Sequence, residues 1–466
     1  MRSPVEVRRV PTPRAATLRA GMLRVVLALA AAMSMAPVAA HAADASAARD
    51  KLSQTLLYGI DSQVMDAIQG IRSTHDTGFT AELAQILSGK RSDSLQAAVL
   101  DLFREQKLKD GEERAKAILA AWQDTRDALL ISAVQYLAAI GSPGLAGGLQ
   151  PLVDSDNNAV ALAAIEALGN TGDKAAAAFL VEKLKNPDFP DGRKNQCVLA
   201  LGSLKDPAAV DVLLSIAGST DQDKIRRMYS ADALGKIRDS RALPVLRSMS
   251  AEDDALIRLY AESALSQFGL DEVFPNLLQG LRDDNARIRE LSARALARPL
   301  SAAQADAAAP ILAYKAEYDP EATVRAAAIQ ALGAIGGDSA WKTLLRIYTG
   351  PDHSVDSREA ALGVLSSKYL SGSMEAIRTV VANEWSSFDP RVLESTAKVL
   401  STVKSRDLGE LFARFLGSKD AAVRSYGLRG IGANGLSDLK DRVKTMSEQD
   451  PNPGVRREAV LALEKL

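Results

Sequence analysis

The chain has 466 residues, is 47% hydrophobic but only 5% aromatic, and carries a formal net charge of −1. That balance leaves no electrostatic footprint for nucleic acid, and a single cysteine, Cys197, excludes an internal disulfide. Ala and Leu supply most of the apolar content, so closely packed helices are expected rather than alternating strands.

Residues 1–42 have the layout of an export signal. Arginines at 2, 8, 9, 14, 19 and 24, against the one acid Glu6, precede or enter the apolar run Leu23 to Met35. Pro37 ends the run, and Ala40-His41-Ala42 has the small-x-small form of a cleavage site, which puts processing near Ala42 and Ala43. The run is too short for a membrane span, so no stable span is expected after signal removal. A start at Met22 would give a more compact signal. Arg8-Arg9 has the form of a twin-arginine pair, but Val10-Pro11-Thr12 matches that motif poorly and the pair lies far from the apolar run. A periplasmic or secreted destination follows. Without the six arginines and Glu6, the chain holds 51 basic and 57 acidic residues, a net of −6.

Residues 43–124 are helical in composition but irregular. Leu52 to Ile60, Gln63 to Ile71, Ala81 to Leu87 and Leu95 to Phe103 each have apolar residues at helical spacing. This segment is expected to hold degenerate repeats and an N-terminal cap, since an end unit needs a polar outer face.

From 125 to 466 one pattern recurs. A Leu or Ile near the end of an Ala-rich helix anchors each copy: Leu137, Leu168, Leu201, Leu234, Leu265, Leu296, Leu332, Leu365, Leu400, Ile431 and Leu463. Successive anchors lie 31 to 36 residues apart, the spacing of a stacked array of about 11 units. Leu102 precedes Leu137 by 35, which points to a further copy upstream. Each unit is predicted to be a helix pair. A first helix carries spaced leucines, as in Leu411, Phe412, Phe415 and Leu416, and a short link leads to the Ala-rich second helix.

At 100° per residue, apolar positions −8, −4, −1 and 0 from the anchor fall in one arc, which should face the first helix of the same unit. Position −7 flanks that arc and is cationic in most copies: Lys194, Arg227, Arg258, Arg289, Arg325, Arg358, Arg424 and Arg456. Leu393 and Ala161 break the pattern. Position −5 on the other flank holds Tyr229, Tyr260 and Tyr426. An acid precedes most of the cations: Asp191, Asp223, Asp254, Asp284, Asp319, Asp420 and Asp450. Such residues cap helix starts and can meet an Arg of the adjacent unit, so an Asp–Arg ladder through the stack is expected, with a ligand-binding basic stripe as the alternative. Gly169, Gly202, Gly235, Gly333 and Gly432 follow the anchors and read as helix-closing glycines. Asp173, Asp206, Asp239, Asp271, Asp338 and Asp407 then read as caps of the next helix.

These D-x-x-V-R…A-x-x-A-L-G-x-x-G-D units resemble HEAT repeats, specifically the short type named after phycobilisome (PBS) lyases. The resemblance covers about residues 125–466 and implies an all-α solenoid of stacked two-helix repeats, an armadillo-type fold. Enzymes share this repeat, but their motifs are not found. Relatives that hydroxylate with two irons use His-Glu pairs, whereas His41, His75 and His353 are followed by Ala, Asp and Ser. One Cys makes zinc improbable on ligand count, and no Gly-rich phosphate loop follows a strand. An acidic, exported chain does not suit the glycosylases that act on DNA. Cys197 reads as a small core thiol and His353 as a solvated loop residue. No catalytic residue, cofactor or metal is therefore expected. The residues favour a non-catalytic scaffold or adaptor that binds protein partners in the bacterial envelope. The alternative is an accessory or maturation factor for an enzyme or cofactor-bearing protein. Candidate outward positions, −2 and −6, include Asp232, Glu290, Arg294, Gln330, Glu359, Lys398, Arg429 and Arg457.

Overall fold

The computed structural model describes residues 46–466, apart from Lys90, Phe388 and Asp389. The export signal and its cleavage point at Ala42 and Ala43 lie outside these residues. Every regular element described is helical, and no strand occurs among the described residues. Two compact units divide the chain, one up to Ala176 and one from Ala177 to Leu466.

In the first unit the helices run α1 (46–58), α2 (Asp61–Thr74), α3 (Thr80–Ser88), α4 (Asp93–Gln106), α5 (Glu112–Ala120), α6 (Asp127–Ala139), α7 (Ala146–Leu149) and α8 (Asn158–Gly169). Segment 46–124 thus already consists of helix pairs, and Leu102 is fully buried on α4, a second helix. Helix α9 (Lys174–Lys185) spans the division.

The second unit continues with α10 (Asp191–Leu204), α11 (Val210–Gly218), α12 (Lys224–Ile237), α13 (Leu243–Met249), α14 (Ala255–Leu265), α15 (Leu270–Gly280), α16 (Ala286–Ala295), α17 (Ala302–Tyr318) and α18 (Ala322–Ile335). It ends with α19 (Gly337–Thr349), α20 (Val355–Lys368), α21 (Leu370–Glu384), α22 (Arg391–Ser401), α23 (Gly409–Phe415), α24 (Ala421–Asn434), α25 (Lys440–Gln449) and α26 (Pro453–Leu463). Even-numbered helices are the second helices of each pair. Within each compact unit successive second helices pack on one another, from α2 to α8 and from α10 to α26, and those outside α2 and α10 also pack on their own first helices. No helix among the described residues is long and apolar enough to cross a membrane.

The apolar arc behaves as the periodicity requires. In α18, Val324, Ala328, Ala331 and Leu332 occupy positions −8, −4, −1 and 0, and all are buried. Links feed the second helices through side-chain caps. Asp223 accepts the Arg226 N–H at 2.9 Å, Asp254 those of Leu256 and Ile257, and Asp420 those of Ala422 and Val423. Each such cap contributes about 1 kcal/mol. Asp173, Asp206 and Asp239 cap the following element, as their positions suggested. Asp271, Asp338 and Asp407 lie two residues past the caps Gly269, Gly336 and Ser405, inside the first turn.

The signature glycines have a different role from the one expected. Gly202, Gly235, Gly333 and Gly432 lie inside their helices, which run on to Leu204, Ile237, Ile335 and Asn434. The left-handed closing residues come later: Lys205, Arg238 and Gly435. What the glycines permit is close approach. A Cβ on Gly235 would lie 2.7 Å from the Cα of Ala264 on the next second helix, and one on Gly202 would lie 2.9 Å from that of Ala233. Small residues on both sides let the second helices form the tighter row of the unit.

Candidate functional site

The cations at −7 are drawn into the links between helices. Arg258 donates Nε and Nη2 to Asp283 at 2.8 and 3.1 Å, Arg289 to Asp319 at 2.8 and 2.9 Å, and Arg424 to Asp450 at 2.8 and 2.9 Å. Arg227 makes a two-pronged pair with Glu252, and Arg358 reaches Glu384 at 3.1 Å. In every case the acid belongs to the next unit, four of the five in its link and Glu384 at the end of α21, just before the link. The same arginines also hold their own links: Nη1 of Arg258, Arg289, Arg325 and Arg424 donates to two carbonyls five and six residues back. Arg456 donates to the Asp450 carbonyl and Lys194 to that of Pro187. Arg325 turns its Nε to Ser357 of the next unit.

The acids of this ladder are therefore Glu252, Asp283, Asp319, Glu384 and Asp450. Of the expected acids Asp191, Asp223, Asp254, Asp284, Asp319, Asp420 and Asp450, two, Asp319 and Asp450, are among the observed pairs with the −7 arginines. Asp223, Asp254 and Asp420 are occupied by the N–H groups of their own helices. Asp284 offers Arg289 its carbonyl, while its neighbour Asp283 provides the carboxylate for Arg258. Asp254 does join the next unit to the last, through Lys224 at 2.5 Å on the surface. Asp191 meets the buried Arg226 at 2.7 Å. Burial alone would raise the pKa values of Asp283, Asp319 and Asp450. Their bonds to arginine and to link N–H groups outweigh it and hold all three below the usual carboxylate range.

One buried acid has no cation. Glu262 on α14 is 3% exposed and accepts from the Ser292 hydroxyl of α16 at 2.8 Å. Burial pushes its pKa up to about 7; the Ser292 bond opposes the shift and nearby Asp283 adds to it. Gly280 makes room for the pair, because a Cβ there would lie 2.2 Å from Ser292 Oγ. Sequence reading missed this site, although a signal existed. Glu262 occupies position −3, which is apolar in the other anchored copies, from Val134 and Ile165 through Ala231 and Ala293 to Val460. Together with Glu252, Asp253, Arg258, Asp283 and Asp284 it lines an acidic crevice of about 520 Å³.

The outward positions exchange charge with one another. Lys398 meets Glu359 at 2.8 Å and Arg429 meets Glu458 at 3.1 Å, each between successive second helices. Within single helices Arg294 meets Glu290 and Lys236 meets Asp232. Gln330 and Arg457 are exposed. Tyr229, Tyr260 and Tyr426 are half-buried. Cys197 is buried in α10, and His353 is half-buried with its ring against Gly350 rather than fully solvated. Among the described residues no group of His, Cys, Asp and Glu is placed to hold a metal ion.

A stack of helix pairs joined by Arg-bridged links is the architecture of a HEAT solenoid. The family model of the spirochaete HEAT repeat proteins matches residues 56–461. The chain belongs to this family. The match extends upstream of residue 125, in keeping with the helix pairs already present in the first unit. No curated protein matches the chain. Among solved structures, Kap95p bound to RanGDP aligns with a TM-score of 0.54 at 12% identity, over 89% of this chain and 60% of that one. Kap121p aligns with a TM-score of 0.48 at 13% identity, over 89% and 53%. This HEAT chain thus spans little more than half the length of those karyopherins, and at such identity the likeness concerns the fold alone.

Proposed function

We propose that this HEAT chain is a non-catalytic scaffold, exported to the bacterial periplasm or cell envelope, that binds protein partners along its second-helix row. One observation carries the reading. The charged residues that repeat are consumed in holding units together, whereas the residues that vary are the ones left facing outward. Ile225 and Leu256, in the first turns of the adjacent helices α12 and α14, are 46% and 48% exposed. Solenoids of this kind contribute a few side chains per repeat to an extended surface. Export is supported by the arginines, apolar run and small-x-small site of residues 1–42. The D-x-x-V-R…A-x-x-A-L-G-x-x-G-D units support a repeat of the short PBS-lyase type.

The test is affinity purification from crosslinked envelope fractions, with identification by mass spectrometry. A reproducible protein partner, with signal-free mature chain recovered outside the cytoplasm, is the expected result. A purified chain that carries a chromophore or metal, or one with no partner in the envelope, would overturn the reading.

A further inference from the structure

The row of second helices is closed by one repeated contact, a glycine just after the anchor set against a small residue just before the next anchor. Gly202 meets Ala233, Gly235 meets Ala264 and Gly432 meets Ala462 in this way. At α14 the glycine is absent, and Ser266 stands in its place opposite Ala295 of α16; Ala297, Ser366 and Ser401 replace the glycine in later copies too, but only here is the packing loose. These two helices make the sparsest contact of any successive second helices in their unit. A groove of about 480 Å³ opens between them, lined by both Ser266 and Ala295.

Its chemistry is specific. Leu259 and Leu291 give the groove an apolar lining. The charged residues along it are Arg287, Arg294 and Arg298 against Glu290, a local net of +2 on an otherwise near-neutral chain. Arg294 is satisfied by Glu290 at 2.8 Å. Arg287 is exposed and meets no acid among the described residues. Arg298 donates Nε to the Ala295 carbonyl and Nη1 to that of Phe268, but its Nη2 is buried without a partner. An unmet donor on a cation favours a carboxylate partner, which Nη2 reaches once the Arg298 side chain turns toward the groove it lines. From Arg287 to Arg298 the lining follows one face of α16 and its end for about 16 Å, at 1.5 Å per residue, the span of about three helical turns.

We infer that the α14–α16 groove docks a short amphipathic segment of a partner protein, with apolar residues along one face and carboxylates beside them. The segment's apolar face lies on Leu259 and Leu291, and its carboxylates meet Arg287 and Arg298. This is helix-in-groove recognition, with the arginines setting register and sign. The inference rests on the scaffold reading and names the partner chemistry for one part of its surface.

The experiment is selection of a random peptide phage library on the purified full-length mature chain, with Leu259→Asp and Arg298→Gln chains screened in parallel and checked for helicity by circular dichroism. Enriched peptides should combine an apolar stripe with excess Asp and Glu. Their affinity should fall at least about tenfold in either variant, hold in a Lys398→Gln control, and weaken with salt. Enriched peptides without an acidic bias would overturn the inference, as would peptides that bind Leu259→Asp chains equally well. So would groove-dependent binding of phosphatidylglycerol vesicles in place of peptides. Acidic peptides captured on another face would remove the groove and leave the scaffold reading intact; that reading fails separately, if crosslinking yields no envelope partner.

Discussion

Arg289 and Asp319 form a closed two-pronged pair inside the stack, at 2.8 and 2.9 Å, with the two residues 7% and 2% exposed. Asp319 is a node as well as a partner. Its side chain binds the arginine of the preceding unit, and its carbonyl binds Arg325 of its own unit at 2.8 Å. Asp450 does the same between Arg424 and Arg456. Each link is thereby fixed from both sides by the cations of two repeats. Removing Arg289 takes away two bonds and leaves the buried Asp319 carboxylate with Lys315 at 3.2 Å, so Arg289→Met should lose about 1–3 kcal/mol. Adding Asp319→Asn to that variant should restore part of the loss, because the fully buried carboxylate is then gone and only the more exposed Lys315 lacks its partner. Urea unfolding of the three chains measures this; an Arg289→Met chain within about 0.5 kcal/mol of wild type would refute the ladder's structural role.

Glu262 responds to pH in the opposite sense to the ladder acids. Asp283, Asp319 and Asp450 hold their protons less tightly folded than unfolded, so their contribution is present at neutral pH and is lost in acid. Glu262 holds its proton up to about pH 7 when folded, but releases it near the usual carboxylate value of 4.5 when unfolded. Stability therefore falls as pH rises through that interval. Glu262→Gln, which keeps a partner for Ser292, should be nearly neutral at pH 4. At pH 8 it should be more stable than wild type by on the order of 3 kcal/mol at most. Thermal unfolding of both chains across pH 4–8 decides it, and parallel curves would refute the buried, uncompensated acid.

The glycines yield a paired test. Gly235→Ala would bring a Cβ within 2.7 Å of the backbone of Ala264, so the second helices must part and the chain should lose about 1–3 kcal/mol. Gly363 lies inside α20 with open space where its Cβ would be. Gly363→Ala should therefore gain about 0.5–1 kcal/mol from helix propensity alone. Opposite signs are expected from the same substitution in the same kind of helix. Equal effects in denaturant titrations would show that the glycines act through propensity and not through contact.

Fold and register were legible in the sequence because they rest on strong periodic burial, and the anchors with their −8, −4 and −1 companions lie where the period puts them. The glycines were misread because a small residue near a helix end looks the same whether it closes the helix or admits a neighbour. In A-L-G-A-I-G-G the closing residue is Gly336, three positions after Gly333. Asp319 and Asp450 stand where a ladder acid was expected, whereas Arg227 and Arg258 pair with Glu252 and Asp283, two and one residues before Asp254 and Asp284. Capping and ion pairing compete for the same aspartates, and Asp254 is taken by the cap of its own helix. The −7 cations stood out because they recur on the flank of an apolar arc. Glu262 is a departure from the repeat that a search for the pattern passes over, and the α14–α16 groove comes from loose packing that Ser266 alone does not announce, because Ser366 and Ser401 hold the same position in well-packed copies.

Tyr136 is the first unit's counterpart to the ladder. It is fully buried on α6, donates its hydroxyl to the Leu108 carbonyl at 2.8 Å and accepts the Gly111 N–H at 3.1 Å. Both partners belong to the turn that leads into α5, so one phenol fixes that turn where other units use a guanidinium. Burial, with smaller additions from Glu112 and Asp110, raises the Tyr136 pKa despite the Gly111 bond, so the hydroxyl stays protonated and able to donate. Tyr136→Phe keeps the ring and removes both bonds, which leaves a buried carbonyl and a buried N–H unmet. The expected cost is about 1–3 kcal/mol, expressed locally as faster amide exchange at Gly111 and along α5. Hydrogen-exchange mass spectrometry of the variant reads both, and unchanged protection in residues 108–120 would show that the turn holds without the phenol.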